Sequence, residues 1–172
     1  GYDGKGKVIY IGTFSKSIAP AIRMSYLVLP DELCGVYDKR CGFINSTVSK
    51  VDQLILQKFI DEGYYERHLN KMRALYKSRH DTLLSALKDW RGDFTVSGEN
   101  AGVHLLLHFR DGRSEQDLIR LAEEKGIKVY GLSEYFVEGE KKRESVILLG
   151  YANMNEEKIK EAVELLKKAW KK

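Results

Sequence analysis

The stretch Val8-Ile9-Tyr10-Ile11-Gly12-Thr13-Phe14-Ser15-Lys16-Ser17-Ile18-Ala19-Pro20-Ala21-Ile22-Arg23 decides how this chain is read. Its opening residues are β-branched or aromatic, as a short strand requires. The strand delivers Ser15-Lys16-Ser17 into a small-residue loop broken by Pro20, and Arg23 follows. A strand end opening into such a loop is where α/β proteins place ligands. Thr13, Ser15 and Arg23 offer hydroxyls and a forked guanidinium to an anion such as a phosphate. Lys16 sets a primary amine beside them, the group that forms a Schiff base with an aldehyde. A lysine taken alone is most often solvated surface; its neighbours single this one out. Partial burial near a cation would favour its neutral, nucleophilic form.

Outward from this segment, Met24 to Leu29 forms a second apolar run closed by Pro30, expected to lie near the first in one sheet. Asp31 is placed to cap a helix containing Leu33, Val36 and Tyr37. From Ser49 the spacing of Val51, Leu54, Ile55 and Phe59 is helical, and Gly63 interrupts it. A long helix is expected from Tyr64 to Trp90, with Leu69, Met72, Leu75, Leu83 and Leu87 on one stripe and a charged opposite face.

The remainder alternates strand and helix. Phe94–Val96, Val103–Phe109, Ile127–Tyr130 and Ser145–Tyr151 read as strands. Ser114 and Asn155 cap helices, and Gly126 ends the first of these. The expected organisation is residues 1–48 as strands, lysine loop and helix, 49–90 as long connecting helices, and 91–172 as a small α/β lobe.

Composition bounds the partners. The 172 residues are 43% hydrophobic and 31% charged, as in a soluble globular chain with a real core. The net charge of +4 is modest. Much of the excess lies in Lys167-Lys168-Ala169-Trp170-Lys171-Lys172, where lysines suit a helix C-terminus, and no basic stripe with interleaved aromatics points to nucleic acid. Cys34 and Cys41 read as reduced thiols of a cytoplasmic protein. No zinc-ligand spacing, signal peptide or membrane span is evident. His104 and His108 share a strand face about 13 Å apart, too far to hold one metal. His68 and His80 are expected on the exposed side of the long helix. Tyr64-Tyr65 and Tyr135-Phe136 line a ligand or partner surface or, by default, anchor a core. The start on Gly1, without methionine and straight into a strand, reads as an excised piece of something longer.

Thr13-Phe14-Ser15-Lys16-Ser17-Ile18-Ala19-Pro20-Ala21-Ile22-Arg23 followed by Met24-Ser25-Tyr26-Leu27-Val28-Leu29-Pro30 resembles the pyridoxal-phosphate lysine segment of aminotransferases of the aspartate-aminotransferase fold. The resemblance is closer to the MocR branch of GntR-type bacterial transcriptional regulators. These join an N-terminal winged helix-turn-helix to an aminotransferase-like domain. Gly63-Tyr64-Tyr65-Glu66-Arg67-His68-Leu69 with Met72-Arg73, Ala101-Gly102-Val103-His104-Leu105-Leu106-Leu107, and Leu148-Leu149-Gly150-Tyr151-Ala152-Asn153 fit the same branch. The resemblance covers nearly the whole chain, and the lysine motif is its most cofactor-specific part.

It implies an α/β fold: the C-terminal part of an aminotransferase-like domain, with two strands of the large domain, inter-lobe helices and a small lobe. It implies pyridoxal 5'-phosphate as cofactor, with Lys16 as the Schiff-base lysine. Thr13 and Ser15 match hydroxyl positions near its phosphate, and Arg23 matches the phosphate-binding arginine. It further implies a cytoplasmic homodimer that senses an amine or amino-acid-like effector and reaches DNA through a helix-turn-helix outside this segment. The alternatives are a working aminotransferase, with Lys16 moving a proton as general base, and a folded lobe that only makes subunit contacts. Two departures bear on this choice. Leu148 stands where enzymes of this fold commonly carry the arginine that clamps a substrate carboxylate, and Arg143 nearby reads as part of a solvated turn. The family's pyridine-nitrogen aspartate, ring-stacking aromatic and glycine-rich phosphate turn match nothing in this segment. The segment alone is therefore expected to bind the cofactor weakly or not at all.

Overall fold

The computed structural model describes residues 5–88, 90, 94–100, 102–136 and 144–171. The chain divides into two compact units, the first ending at Met72 and the second beginning at Arg73.

In the first unit, β1 (Tyr10–Thr13) pairs antiparallel with β2 (Ser25–Val28), from Tyr10 opposite Val28 to Thr13 opposite Ser25. The two apolar runs thus meet in one ribbon, as their sequence suggests. Gly12 is required here by close approach: a Cβ would fall 2.2 Å from Cζ of the Tyr26 ring. Next comes α1 (Asp31–Cys41), where Pro30 takes the cap position and Asp31 is the first helical residue. The capping role read for Asp31 is therefore corrected. Its carboxylate, with that of Glu32, instead faces the positive end of the helix dipole. Then α2 (Lys50–Asp61) starts on Ser49, whose Oγ accepts from the Val51 N–H at 3.2 Å.

The long helix is α3 (Tyr64–Lys88). It stops short of Trp90, whose ring lies 4.9 Å from Phe94 and 5.7 Å from Trp170. The half-buried indole packs in this aromatic group beyond the helix end. Leu83 and Leu87 of α3 belong to the second unit's core.

That unit is built on an antiparallel sheet in the order β3 (Phe94–Ser97), β4 (His104–Phe109), β6 (Ser145–Gly150), β5 (Tyr130–Gly131). Ile127 and Val129, read as strand, lie ahead of β5. The Ile127 N–H instead closes α4 (Glu115–Glu123) by bonding the Ala122 carbonyl at 3.0 Å. In β4 the period-two alternation sends Leu105, Leu107 and Phe109 inward, opposite Leu149, Ile147 and Ser145 of β6. The inward face joins Leu118 and Ala122 of α4 with Ile159, Val163, Leu166 and Trp170 of α5 (Glu156–Trp170) in one apolar cluster.

The caps read at Ser114 and Asn155 hold. Ser114 Oγ accepts from the Asp117 N–H at 3.1 Å, and Asn155 Oδ1 accepts from the Lys158 N–H at 2.9 Å. The Ser114 hydroxyl also donates to Asp117 and holds that carboxyl below its ordinary range. Lys167 and Lys168 end α5, where cations oppose its dipole.

One buried carboxylate was not legible in the sequence. Glu115, 5% exposed, accepts from the Val146 N–H at 3.1 Å and the Ser133 N–H at 3.2 Å. It ties the start of α4 to β6 and to the 3-10 turn Leu132–Tyr135. Gly131 makes room for it, because a Cβ there would fall 2.5 Å from Glu115 Oε2. Among the described residues no helix is long and apolar enough to cross a membrane.

Candidate functional site

Residues 14–24 join β1 to β2 as a turn held from within. The Phe14 N–H reaches the Met24 carbonyl at 3.0 Å, and the Ile18 N–H reaches the Phe14 carbonyl at 2.8 Å. Thr13 Oγ1 donates to the Met24 carbonyl at 3.2 Å and accepts from the Ser15 N–H at 3.2 Å. The Ser15 hydroxyl donates to the Ile22 carbonyl. Arg23 Nη1 turns back into the loop, 3.4 Å from Ser15 Oγ and 3.4 Å from the Pro20 carbonyl.

The structure therefore brings Thr13, Ser15 and Arg23 together at one mouth of the turn. Lys16 extends from the same turn beside Ser15 and is exposed, not partly buried as read. Chemically the arrangement offers an anion the Arg23 guanidinium with a primary amine next to it, while the Thr13 and Ser15 hydroxyls give their protons to the Met24 and Ile22 carbonyls. Beside Arg23 runs a groove of about 590 Å³ between the turn and α2, with Ile22, Met24, Val48, Ile55 and Phe59 among its lining.

Behind the turn stands a group of aromatic rings. Phe14 lies 5.4 Å from Tyr26 and 5.9 Å, edge on, from Tyr65. Phe59 meets Tyr64 at 6.1 Å, Tyr65 at 6.4 Å and His68 at 6.4 Å. The Tyr65 hydroxyl donates to Ser17 Oγ at 3.1 Å. Sequence reasoning quoted Tyr65 in a tyrosine pair and a regulator-like stretch and Ser17 beside Lys16, and linked neither to the other. Forty-eight positions separate the two, and no local pattern encodes such a contact.

The remaining candidates lie elsewhere. His68 and His80 are half-buried, not exposed: His68 packs on Phe59, and His80 meets the Tyr151 ring edge on at 5.8 Å. His104 is exposed, and His108 Nε2 pairs with Ser97 Oγ at 2.7 Å. Tyr64, Tyr135 and Phe136 are exposed, so the core-anchor reading fails for them. Leu148 sits half-buried on β6 opposite Leu106 and Tyr130, an apolar setting with no guanidinium in register. Arg143 lies outside the described residues.

Residues 1–166 match the family model for aminotransferase class I and II. The chain belongs to that family. It is similar to an uncharacterized HTH-type transcriptional regulator, YhdI, of Bacillus subtilis, at 36% identity over 99% of this chain and 36% of the relative. It is also similar to the probable rhizopine catabolism regulatory protein MocR of Rhizobium meliloti, at 30% identity over 99% of this chain and 34% of the relative. The chain thus spans about a third of the length of these curated relatives. Among solved structures it resembles the α-aminoadipate aminotransferase LysN of Thermus thermophilus, solved in complex with N-(5'-phosphopyridoxyl)-L-leucine. The TM-score is 0.77 at 26% identity, covering 95% of this chain and 42% of that one. The expected aminotransferase-type α/β fold and the likeness to MocR-type regulators are both borne out.

Proposed function

We propose that this chain is part of the pyridoxal-phosphate-binding, aminotransferase-like effector domain of a helix-turn-helix transcriptional regulator. In this reading it senses an amine or amino-acid-like ligand through Lys16. The observation that carries the reading is the convergence of Arg23 Nη1 on Ser15 Oγ beside the exposed Lys16. These residues fit the cofactor's two demands, an anion cradle and an amine. Arg23 would hold the phosphate, joined by Ser15 once its hydroxyl turns from the Ile22 carbonyl, and Thr13 braces the loop by accepting from the Ser15 N–H. Pyridoxal phosphate, when bound, supplies an aldehyde carbon that amines exchange upon and a ring that withdraws electrons. Lys16 Nζ would be the protein's own amine toward that carbon and would hold or release the accompanying proton.

Two observations favour sensing over turnover. The identity to an HTH-type regulator is 36%, against 26% to an aminotransferase of the same fold. Leu148, paired with Leu106 and Tyr130, offers no cation to a substrate carboxylate. On this reading the full-length protein is a cytoplasmic homodimer that contacts DNA through its helix-turn-helix domain.

The test uses that full-length protein loaded with pyridoxal phosphate. Its affinity for its own promoter DNA is measured across a panel of primary amines and amino acids, in wild type and Lys16→Ala. The expected result is a response to at least one amine that Lys16→Ala abolishes. A variant that responds like wild type removes Lys16 from sensing. Steady transfer of amino groups from an amino acid to a 2-oxo acid by wild type makes the protein an enzyme instead.

A further inference from the structure

The turn that carries Lys16 is gripped from outside at two points, and one residue supplies both. Tyr65, at the start of α3, sets its ring edge on to Phe14 at 5.9 Å. Its hydroxyl donates to Ser17 Oγ at 3.1 Å. Phe14 and Ser17 bracket Ser15 and Lys16 in the chain. The Ser17 N–H in turn bonds the Phe14 carbonyl at 3.2 Å, closing the bracket into a single backbone turn. Tyr65 is half-buried and lies on the first turn of a 25-residue helix, a stiffer mount than the loop it touches.

Packing alone does not account for the residue type. A phenylalanine would make the same edge contact with Phe14 and the same 6.4 Å contact with Phe59. Only the phenol reaches Ser17. We propose that Tyr65 is a positioning residue for Lys16: through Ser17 and Phe14 it fixes the turn so that the amine and the Ser15–Arg23 cradle face the same ligand. The inference rests on Lys16 and that cradle taking a phosphate-bearing aldehyde.

The test reads that pairing directly and needs no stable complex. The chain is labelled with pyridoxal 5'-phosphate or with pyridoxal, which lacks the phosphate, and borohydride fixes the adducts. Peptide mass spectrometry then gives the labelling rate at Lys16 and at Lys39, an exposed lysine of α1 that serves as reference. In wild type the preference for the phosphorylated aldehyde is expected to be greater at Lys16 than at Lys39.

Tyr65→Phe and Ser17→Ala are each expected to lower the Lys16 preference about two- to tenfold, the range one hydrogen bond supports. The double variant should lose no more than either alone, and Ser17→Thr should restore the preference. Thermal unfolding midpoints recorded alongside separate this effect from loss of fold. If Tyr65→Phe does not fold, Ser17→Ala and Ser17→Thr carry the test. Wild-type preference in Tyr65→Phe, or additive losses in the double variant, overturns the positioning role. A wild type with no greater preference at Lys16 than at Lys39 overturns the cofactor reading, and the inference with it.

Discussion

The two units of this chain are ordered by different means. Every buried side chain among the described residues lies between Leu83 and Trp170. Among the described residues up to Met72 none is buried, and Ile11 and Phe43 stand 78% and 81% exposed. Yet Thr13, Ser15, Lys16 and Arg23 all belong to this first unit. The second unit is held by apolar burial around a sheet. The first is held by a two-stranded ribbon, helix caps, hydrogen bonds inside one turn and a group of partly exposed rings. Stability and candidate chemistry therefore sit on separate parts of the chain. Apolar surface exposed on this scale marks faces that normally meet another surface.

The comparison breaks most visibly if the second unit's core is not where its stability lies. Trp170 is 3% exposed, donates from Nε1 to the Leu118 carbonyl at 2.9 Å, and packs edge on against Phe109 at 5.1 Å. Trp170→Ala removes the ring and leaves that carbonyl without its indole donor. The expected cost is about 3–5 kcal/mol, read from the urea midpoint of far-UV circular dichroism. A cost within about 0.5 kcal/mol, the scale of an ordinary surface change, would mean that this cluster is not the unit's core.

The same division explains what the sequence made legible. Strand alternation in β4, the caps at Ser114 and Asn155, and the loop carrying Ser15 and Lys16 are short-range signals, and all appear in the structure. Apart from the Asp31 cap, displaced by one residue to Pro30, these misreadings fell where a tertiary contact intervened. Trp90, read as the end of the long helix, lies beyond it in an aromatic group, Ile127 gave its N–H to a helix end, and His68 turned toward Phe59. Glu115 reads in sequence as one more helical carboxylate. Only the fold brings it the Val146 and Ser133 N–H groups that make its burial tolerable. At the candidate site Thr13, Ser15, Lys16 and Arg23 were legible because they lie close together along one stretch of chain. Tyr65 was not, because its partner Ser17 is distant in sequence.

A smaller effect tests how the first unit holds its turn. A Cβ on Gly12 would sit 2.2 Å from Tyr26 Cζ, so Gly12→Ala must displace a ring that packs on Phe14. Overpacking of this kind costs about 1–3 kcal/mol. The expected readout is faster amide exchange at Phe14 and Ser17, whose N–H groups bond the Met24 and Phe14 carbonyls. Leu107, in the second unit, should keep its protection. Equal loss at Leu107 would show that the two units unfold as one and that the contrast between them has no energetic meaning.

The smallest expected effect gives the sharpest test of exposure itself. Leu54 on α2 is 60% exposed, whereas Leu118 on α4 is fully buried. Truncation to alanine at Leu118 should cost about 2–5 kcal/mol. At Leu54, with little area to lose and no cavity to leave, it should stay within about 0.5 kcal/mol. Unfolding midpoints at dilute and at high protein concentration decide the matter. If Leu54→Ala costs as much as Leu118→Ala only at high concentration, the apolar face of the first unit is covered by self-association. If the cost is that large at every concentration, α2 is packed within the monomer and the contrast drawn from exposure fails. A small and concentration-independent effect leaves Leu54 in water, and the order of the lysine turn then rests on its hydrogen bonds and on rings such as Phe14 and Tyr65.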